Sequence, residues 1–542
     1  MMGHKLRSFA PLGDRSLDEL VPADHLYRRL QRTLDLSFVH DLVAGCYATG
    51  GRPSVDPEVF FKLQLVMFFE DIRSERRLMD VVADRLSVRW YLGYDLGEPL
   101  PDHSSLTRIR DRYGVAIFRR FFDAIIERCD RAGLVWGREL FFDASKIEAN
   151  ASVASIGPRF AIEAHLAARF PTEDGVPPTS DPLSAPAPVP SSLRQETADD
   201  LAAINSQRHD WLVEDGRQQR DVVGRDYRRI ADYQASRTDP DASPMHTKGN
   251  GHPGYHLHYA IDGGKARIIL AALVTPAEVM ENQPMLDLLW HSRFRWHLWP
   301  HHVTGDTTYG TIQNITAIER EGIRAYVSLP NYEQRTAYFP KSKFTYDPEQ
   351  DVYICPQGEQ LRRYSYSRTD RQIKYRADKK VCNDCPLKER CTIGKAGRKV
   401  ERSFDEEYVE RVRGYQETEP YKKAINKRKV WIEPLFGEAK DWHGLRRFRL
   451  RRLAKVNIEA LVVASGQNIK RLLTMWRWEP SSRPDGAGAG AKTRLMRLAV
   501  QCFSELRVAI ALESSMLTRI GEGFSTAWNI VRRRGQPLFP LL

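Results

Sequence analysis

The sequence predicts an α/β fold: a mixed sheet flanked by helices, preceded by an all-helical domain and carrying a small cysteine-rich insert. Apolar residues recur at helical spacing up to about residue 135. From 138 to 330, short runs of strand composition alternate with helical segments, which is typical of layered α/β domains. Four cysteines then lie in one polar stretch. At 542 residues, 42% of them hydrophobic, the chain is long enough for roughly two to four globular domains.

The charge of the chain favours a polyanionic partner. Lysine and arginine number 82 against 70 acidic residues, a net charge of +12. No apolar run approaches the roughly 18 residues that span a membrane, and the N-terminus lacks the apolar stretch of a secretory signal. Seven cysteines do not resemble a secreted disulfide framework. We therefore expect a cytoplasmic protein without a membrane partner.

Residues 1–135 are predicted to form a helical, DNA-binding domain. Asp56 is a natural N-cap, and Pro57 fits the first position of the helix that follows. A later capped helix start is followed by Arg108, Arg110 and Arg112. Such a basic face favours helix-turn-helix-like binding of DNA, and an ordinary solvated helix face is the alternative.

The α/β domain is predicted to comprise residues 136–334 and 406–478. Gly263 and Gly264 separate two strand-like runs and predict a hairpin. His256 and His258 share one face of the first of these runs, where packing or solvent contact is expected rather than metal binding. The five strand-like runs lie at 138–145, 254–263, 266–275, 301–310 and 323–330.

The remaining segments are predicted from composition. A flexible insert rich in proline and serine is expected at about 155–235, and the cysteine-rich insert at 335–405. A linker rich in glycine and alanine occupies 479–494, and a helical C-terminal tail follows at 495–542. The tail has no predicted function.

Two aspartates end strand-like runs. Asp143 follows the apolar run "ELFF", and Asp306 follows "HHVTG". Carboxylates at adjacent strand ends converge, and a divalent cation is the usual means of keeping two such charges together. A turn or helix cap is the alternative for each aspartate taken alone.

Glu433 is the third candidate, in the stretch "RKVWIEPLFGEAKDWHG". Because Pro434 disfavours helical geometry in the residue before it, we expect Glu433 at a helix start or kink. Lys440 lies seven residues on and therefore on the same helix face. An ordinary ion pair between Glu433 and Lys429 is the alternative.

Taken together, these residues resemble the DDE transposases of bacterial insertion sequences, over about residues 10–475. The similarity is carried by "GRPSVDPEVFFKLQLVMFFEDIRSERRLMDVV", "FFDASKIEANAS", "VTGDTTYGT" and "WIEPLFGEAKDWHGLRRFRLRRLAK". It implies an RNase H-like catalytic core in which Asp143, Asp306 and Glu433 form the triad. In the family signature a tyrosine and an arginine precede the glutamate; here Asn426 and Lys429 stand in their places, with Lys429 or Arg428 as substitutes for the arginine.

The resemblance implies metal-dependent cleavage of DNA at the element ends, followed by strand transfer into target DNA. The cofactor would be two Mg²⁺ or Mn²⁺ ions held by the triad. Partners would be double-stranded element ends and target DNA, bound by a homodimer or higher oligomer associated with the nucleoid. Lys440 would bind a phosphate, and the basic segment after it would follow the backbone; a solvated helix is the alternative for that segment, which contains Arg446, Arg447, Arg449 and Arg451.

Two other functions remain open for the same residues. One is an RNase H-like nuclease without strand transfer, and the other is a DNA-binding protein whose nuclease core is inactive. The presence of all three candidate carboxylates argues against the inactive DNA-binding protein. Inverted repeats flanking the coding region would argue against the nuclease without strand transfer.

The cysteine cluster suggests a structural metal site. Cys382 and Cys385 form a Cys-x-x-Cys motif, with Cys355 and Cys391 on either side. Four thiolates suit Zn²⁺, which would stabilise an insert too small for a large core. Reduced thiols without a ligand and a redox pair are the alternatives.

Overall fold

The computed structural model describes residues 15–48, 50, 54–159, 234–247, 250–330, 337–368 and 371–475. One compact unit comprises residues 1–293 and 298–477, and a second comprises 294–297 and 478–542. Most of the predicted flexible insert, and all of the predicted linker and C-terminal tail, lie outside the described residues. In the described part of the chain, no helix is both long and apolar enough to cross a membrane.

Helices form the N-terminal region. In α4 Asp56 accepts a hydrogen bond from the backbone N–H of Glu58, and Pro57 occupies the first turn, so the predicted helix start is confirmed. Every residue of α4 from Phe60 to Phe68 is buried. The helices are α1 Leu17–Leu20, α2 Leu26–Thr33, α3 Val39–Val43, α4 Pro57–Phe69, α5 Glu75–Asp84, α6 Leu86–Leu92 and α7 His103–Arg131.

A mixed six-stranded sheet follows, with the order β4-β5-β1-β7-β8 and β6 paired to β5. Strand β1 is antiparallel to β5 and parallel to β7. The predicted hairpin is present as β5 and β6. The strands of this sheet are β1 Glu139–Glu148, β4 Ser243–Thr247, β5 Asn250–Asp262, β6 Ile269–Pro276, β7 His302–Gly305 and β8 Arg324–Val327, and β2 Ile156–Pro158 pairs separately with β3 Gln234–Ser236.

Further helices flank the sheet. They are α8 Met285–Arg295 and α9 Ile312–Arg320 between its later strands, and α12 Glu406–Tyr415, α13 Glu419–Trp442 and α14 Leu453–Met475 after the insert. The prediction of a mixed α/β sheet with flanking helices and a preceding helical region is thereby confirmed.

Helix α14 joins the sheet to the N-terminal helices. The side chain of Asn468 accepts from the backbone N–H of Ile269 and donates to the carbonyl of the same residue. Asn457 makes the same pair of bonds with Val274. These amides pair with the backbone groups of Ile269 and Val274 on the free edge of β6, which would otherwise be buried without partners. On its other side α14 packs on α7 and α4, so helices and sheet share one core.

The approach of α14 to α4 depends on a glycine. A Cβ at Gly466 would lie 2.4 Å from the ring of Phe68. Such a contact cannot be accommodated without moving one of the helices. The absence of a side chain at Gly466 therefore sets how closely these two helices pack.

The cysteine-rich insert folds as an antiparallel sheet in the order β13-β12-β11-β10-β9. Its core contains Phe344, Tyr353, Leu361, Tyr375 and Val400, together with Cys391. The elements of the insert are β9 Thr345–Asp347, β10 Val352–Ile354, β11 Gln360–Ser367, β12 Gln372–Ala377, α10 Lys379–Asn383, α11 Lys388–Cys391 and β13 Lys399–Ser403.

Helix α13 corrects one prediction. Pro434 lies inside a continuous 24-residue helix, so of the two positions expected for Glu433, a helix start or a kink, the helix start is wrong. A proline leaves the carbonyl four residues earlier without its helical donor. That carbonyl, of Val430, lies 3.4 Å from Nη1 of Arg267, which donates to it instead. Burial of Ile432, Leu435 and other residues of one helix face offsets the remaining cost.

Candidate active site

The two predicted aspartates lie at the same edge of the sheet. Phe141 of β1 pairs in parallel register with Thr304 of β7. Two residues further along each strand, the same register aligns Asp143 with Asp306, which directly follows β7. Asp306 also accepts a 2.8 Å hydrogen bond from the backbone N–H of Thr308. It therefore acts as a helix cap too, which was the alternative role considered for it. The register thus brings the two aspartates side by side.

Asp143 is half-buried and bound by an arginine. Its Oδ2 accepts a 2.7 Å hydrogen bond from Nη1 of Arg428 in α13, and Oδ1 accepts from the backbone N–H of Ala144 at 2.9 Å. Burial raises the pKa of Asp143 to about 6, although the Arg428 charge lowers it, and the nearby charge of Asp306 raises it further. A carboxyl whose charged form is disfavoured in this way is a common feature of functional sites.

A third carboxylate, which sequence reasoning missed, lies at this edge. Glu281 is in the loop after β6, and its pKa is raised by burial and then by the charges of Asp306 and Asp143. Tyr309 is buried beside the same three carboxylates: burial raises its pKa, and the charges of Asp143, Glu281 and Asp306 raise it further. Glu281 reaches this edge because β6 and β1 both run antiparallel to β5 and so end at the same edge of the sheet, a pairing that the sequence alone does not show.

His256 contacts the third carboxylate. Its Nε2 is 3.6 Å from an oxygen of Glu281, and its Nδ1 is 3.1 Å from the carbonyl of Val279. Burial lowers the pKa of His256 to about 4, so the ring is neutral near pH 7 and Nδ1–H donates to that carbonyl. Of the two expectations for His256 and His258, interior packing or solvent contact, their burial agrees with packing.

Glu433 is placed differently from the aspartates. Its side chain is exposed, and within the described residues it forms no hydrogen bond or ion pair, including the alternative pair with Lys429. It lies five residues after Arg428, about 140° around the helix from the residue that contacts Asp143. Its role as a metal ligand therefore stays a prediction.

Its neighbour Glu438 has a structural role. Burial raises the pKa of this carboxyl, but hydrogen bonds from His443, Lys470 and Arg471, together with the Arg471 charge, outweigh burial and lower it. Glu438 thus ties α13 to α14, in agreement with the choice of Glu433 as the candidate ligand.

Several predicted DNA-binding residues remain accessible. Among them Arg446 is paired with Asp441, and the guanidinium of Arg451 donates to the carbonyl of Asn150 at 2.9 Å. Lys440 is half-buried, and burial followed by the Arg446 charge lowers its pKa. The exposed members of the predicted set are Arg108, Lys429, Arg446, Arg447 and Arg451.

Two predicted DNA contacts are corrected. Arg110 is 2% exposed and pairs with Glu75, so it does not lie on an accessible basic face. Arg449 is 3.3 Å from the same Glu75 carboxylate. Arg110 joins two of the N-terminal helices, and Arg449 joins the segment after α13 to them, because both guanidinium groups pair with the same nearly buried carboxylate. Helical spacing alone did not show which arginines of these segments face inward.

The four cysteines of the insert lie near enough for three of them to act electrostatically on the fourth, Cys391. Burial raises the pKa of Cys391, and the charges of Cys382, Cys355 and Cys385 raise it further, whereas Arg398 lowers it. Two of the sulfurs accept backbone N–H groups, Cys355 from Gln357 at 3.4 Å and Cys382 from Arg398 at 3.3 Å.

Neither cluster has the closed geometry of an occupied metal site. Among the described residues, no three His, Cys, Asp or Glu side chains stand close enough together to hold an ion. The acidic cluster nevertheless has the oxygen ligands that Mg²⁺ prefers, and the insert has the thiolates that Zn²⁺ prefers.

Comparison with protein families gives two matches. A transposase domain of the DUF772 type matches residues 15–112, which include most of the N-terminal helices. A transposase DDE domain matches residues 354–473, from the insert to α14. The second match contains Glu433 and the cysteine cluster, whereas Asp143 and Asp306 lie outside both. Searches of curated proteins and of solved structures found no match.

A helical region followed by a mixed sheet with flanking helices is consistent with the architecture of DDE transposases. The two domain matches indicate that the chain is a transposase. They support its assignment to the DDE-type transposases of insertion sequences, and the resemblance drawn from the sequence is thereby confirmed.

Proposed function

We propose that the chain cleaves DNA strands at the ends of an insertion sequence and transfers them into target DNA. The observation that carries this proposal is the alignment of Asp143 with Asp306 on neighbouring parallel strands, with Glu281 beside them. Three carboxylates near one another at one half-buried edge cost free energy unless a cation compensates them. The two transposase domain matches support the same function.

The residues at this edge suit a divalent cation. Asp143, Asp306 and a glutamate would hold Mg²⁺ or Mn²⁺, and the resemblance implies two such ions. When bound, the ions would activate the attacking oxygen and stabilise the leaving oxygen. Glu433 is that glutamate by resemblance, and Glu281 is an additional candidate by position. Arg428 compensates the charge of Asp143. With a cation held by the carboxylates, this guanidinium would be available to bind a DNA phosphate.

DNA would be held by the accessible basic residues around the site. Lys440, half-buried on α13, would contact a phosphate as a point charge, as would Lys429. The arginines that remain exposed, Arg108, Arg446, Arg447 and Arg451, would follow the backbone. Because two element ends must be joined in one complex, we expect a dimer or higher oligomer, acting in the cytoplasm on nucleoid DNA.

The direct test is a cleavage assay with DNA that carries the flanks of the gene. We expect nicking at the element ends with Mg²⁺ or Mn²⁺, none with EDTA, and joined products when target DNA is added. Asp306→Ala serves as the inactive control. Nicking without joining would favour the nuclease without strand transfer. Binding without nicking under all metal conditions would favour the inactive DNA-binding protein.

We also propose that the four cysteines bind one structural Zn²⁺. Cys355 starts a Cys-Pro-x-Gly turn in which the N–H of Gln357 points at the sulfur and Gly358 has a φ of 87°, a conformation that glycine adopts without strain. Backbone N–H groups aimed at two of the sulfurs stabilise thiolates. The small core around Cys391 would gain stability from such a cross-link.

Metal analysis tests the zinc proposal. Purified protein should contain about one equivalent of zinc per chain, and Cys385→Ser should retain well under half of it because a tetrahedral site needs all four thiolates. Cys129→Ser is the matched control, since this thiol is buried away from the insert. Equal zinc content in the two variants, or no zinc in the parent protein, would contradict the site.

A further inference from the structure

The outer face of the insert sheet carries a row of three cations. Arg362 of β11 pairs directly with Arg376 of β12, and Arg376 pairs directly with Lys399 of β13. Cross-strand partners project from the same face of a sheet. At roughly 4.8 Å between strands, the three charges therefore lie within about 10 Å of one another. We call these three residues the cation row.

Nothing in the described structure compensates the cation row. Other cations of the insert have carboxylate partners, such as Arg363 with Asp351 and Lys374 with Glu401. Arg362, Arg376 and Lys399 have no carboxylate within 4.0 Å among the described residues. Like charges placed directly opposite each other destabilise a sheet. Such a row is therefore expected where an anionic ligand compensates it.

An exposed aromatic ring lies beside the row. Tyr364 is 40% exposed, and the guanidinium of Arg376 stands 4.3 Å from its ring centre. This contact holds the guanidinium in a fixed orientation, with its edge free to donate hydrogen bonds. By strand pairing, the acidic residues nearest to the cation row are Glu401 and Asp347. Glu401 is paired with Lys374, and Asp347 lies two strands away from Arg362.

The insert is fixed to the α/β domain by ion pairs. Asp405, just after β13, accepts from Arg320 of α9 at 2.7 Å and from Arg371 of the insert at 2.8 Å. Lys341 pairs with Glu406 at 2.8 Å. A ligand bound to the cation row is therefore held by the same compact unit as the candidate active site.

We propose that the cation row is a second DNA-binding surface that contacts the phosphate backbone of duplex DNA. The proposal rests on the proposed function, since it assumes a DNA substrate, and it adds a surface outside the basic segments around α13. Duplex DNA carries about one charge per 1.7 Å of axis, so three cations within about 10 Å find phosphates without any base-specific contact. Binding at the row would be independent of sequence.

The salt dependence of DNA binding tests this surface. The variant Arg362→Gln/Arg376→Gln/Lys399→Gln is compared with the parent protein by fluorescence anisotropy, without added Mg²⁺ or Mn²⁺, on a duplex carrying the gene's flanks. We expect the slope of log affinity against log salt to become shallower by about 2 to 3, because each lost phosphate contact removes about 0.9. The melting temperature should be unchanged or higher, because the variant removes like-charge repulsion.

A charge-matched control separates the surface from a general effect of charge. Lys343→Gln/Lys379→Gln/Lys380→Gln removes the same number of charges from exposed positions of the same insert. An equal change of slope in both triple variants, or none in the cation-row variant, would overturn the inference. If the parent protein cleaves DNA and the cation-row variant has the same salt slope as the parent, only this surface is overturned. If the parent has a steeper salt slope than the variant but never cleaves DNA, the surface is supported and the proposed function is overturned.

Discussion

Asp143→Asn should abolish strand cleavage and, at the same time, remove a pH-dependent destabilisation of the folded protein. Cleavage should fall by about 10³-fold or more, because a carboxylate that binds a catalytic cation contributes several kcal/mol to the transition state. The asparagine preserves the size of the side chain, so the loss would reflect the charge rather than the packing.

The stability effect follows from the pKa of Asp143. Burial raises this pKa from 3.8 to about 6, so the folded protein binds the proton more tightly than the unfolded chain does. Protonation of Asp143 therefore adds to the free energy of unfolding. This stabilisation is fully present below pH 3.8 and is lost as pH rises through 6. Between pH 5 and pH 8 the free energy of unfolding of the parent should therefore fall by about 1 kcal/mol more than that of Asp143→Asn.

Two measurements on one pair of proteins check this prediction. Nicking of flank DNA with Mn²⁺ gives the catalytic effect, and denaturant unfolding at pH 5 and pH 8 gives the stability effect. Cleavage within tenfold of the parent would exclude Asp143 from the site. Parallel pH dependences in the two proteins would show that its carboxyl is not destabilised in the folded state.

The parts of the site that the sequence predicted are those determined by strand direction. Asp143 and Asp306 were recognisable because each ends a strand, and parallel pairing of β1 with β7 aligns them. Glu281 was missed because its position depends on β6, whose direction relative to β1 follows only from the pairing of both strands with β5. Sequence shows where a strand ends but not which neighbours it has.

Helix faces and interruptions were harder to predict. Arg110 belongs to a basic run, yet packing turns it inward onto Glu75. The local rule for proline predicted a helix start at Glu433, and it failed because Arg267, more than 160 residues earlier, supplies a donor to the freed carbonyl. Both errors come from tertiary contacts that override a local preference.

The two candidate glutamates can be distinguished by substitution. Glu433→Gln should reduce cleavage by about 10³-fold if the family triad holds, because an essential ligand is lost. Glu281→Gln should reduce it by a smaller factor, about 10 to 100, and weaken Mn²⁺ binding, because its charge acts on a cation held mainly by Asp143 and Asp306. Glu349→Gln, at an exposed position of the insert, is the control.

The third metal ligand is identified by which of the two substitutions, Glu433→Gln or Glu281→Gln, causes the larger loss. The structure places Glu281 beside both aspartates and leaves Glu433 exposed on α13, without an ion pair among the described residues. A larger loss of both cleavage and Mn²⁺ affinity in Glu281→Gln would assign the third carboxylate to the loop after β6 and contradict the family position. A larger loss of both in Glu433→Gln would assign the third carboxylate to α13, as the family position implies.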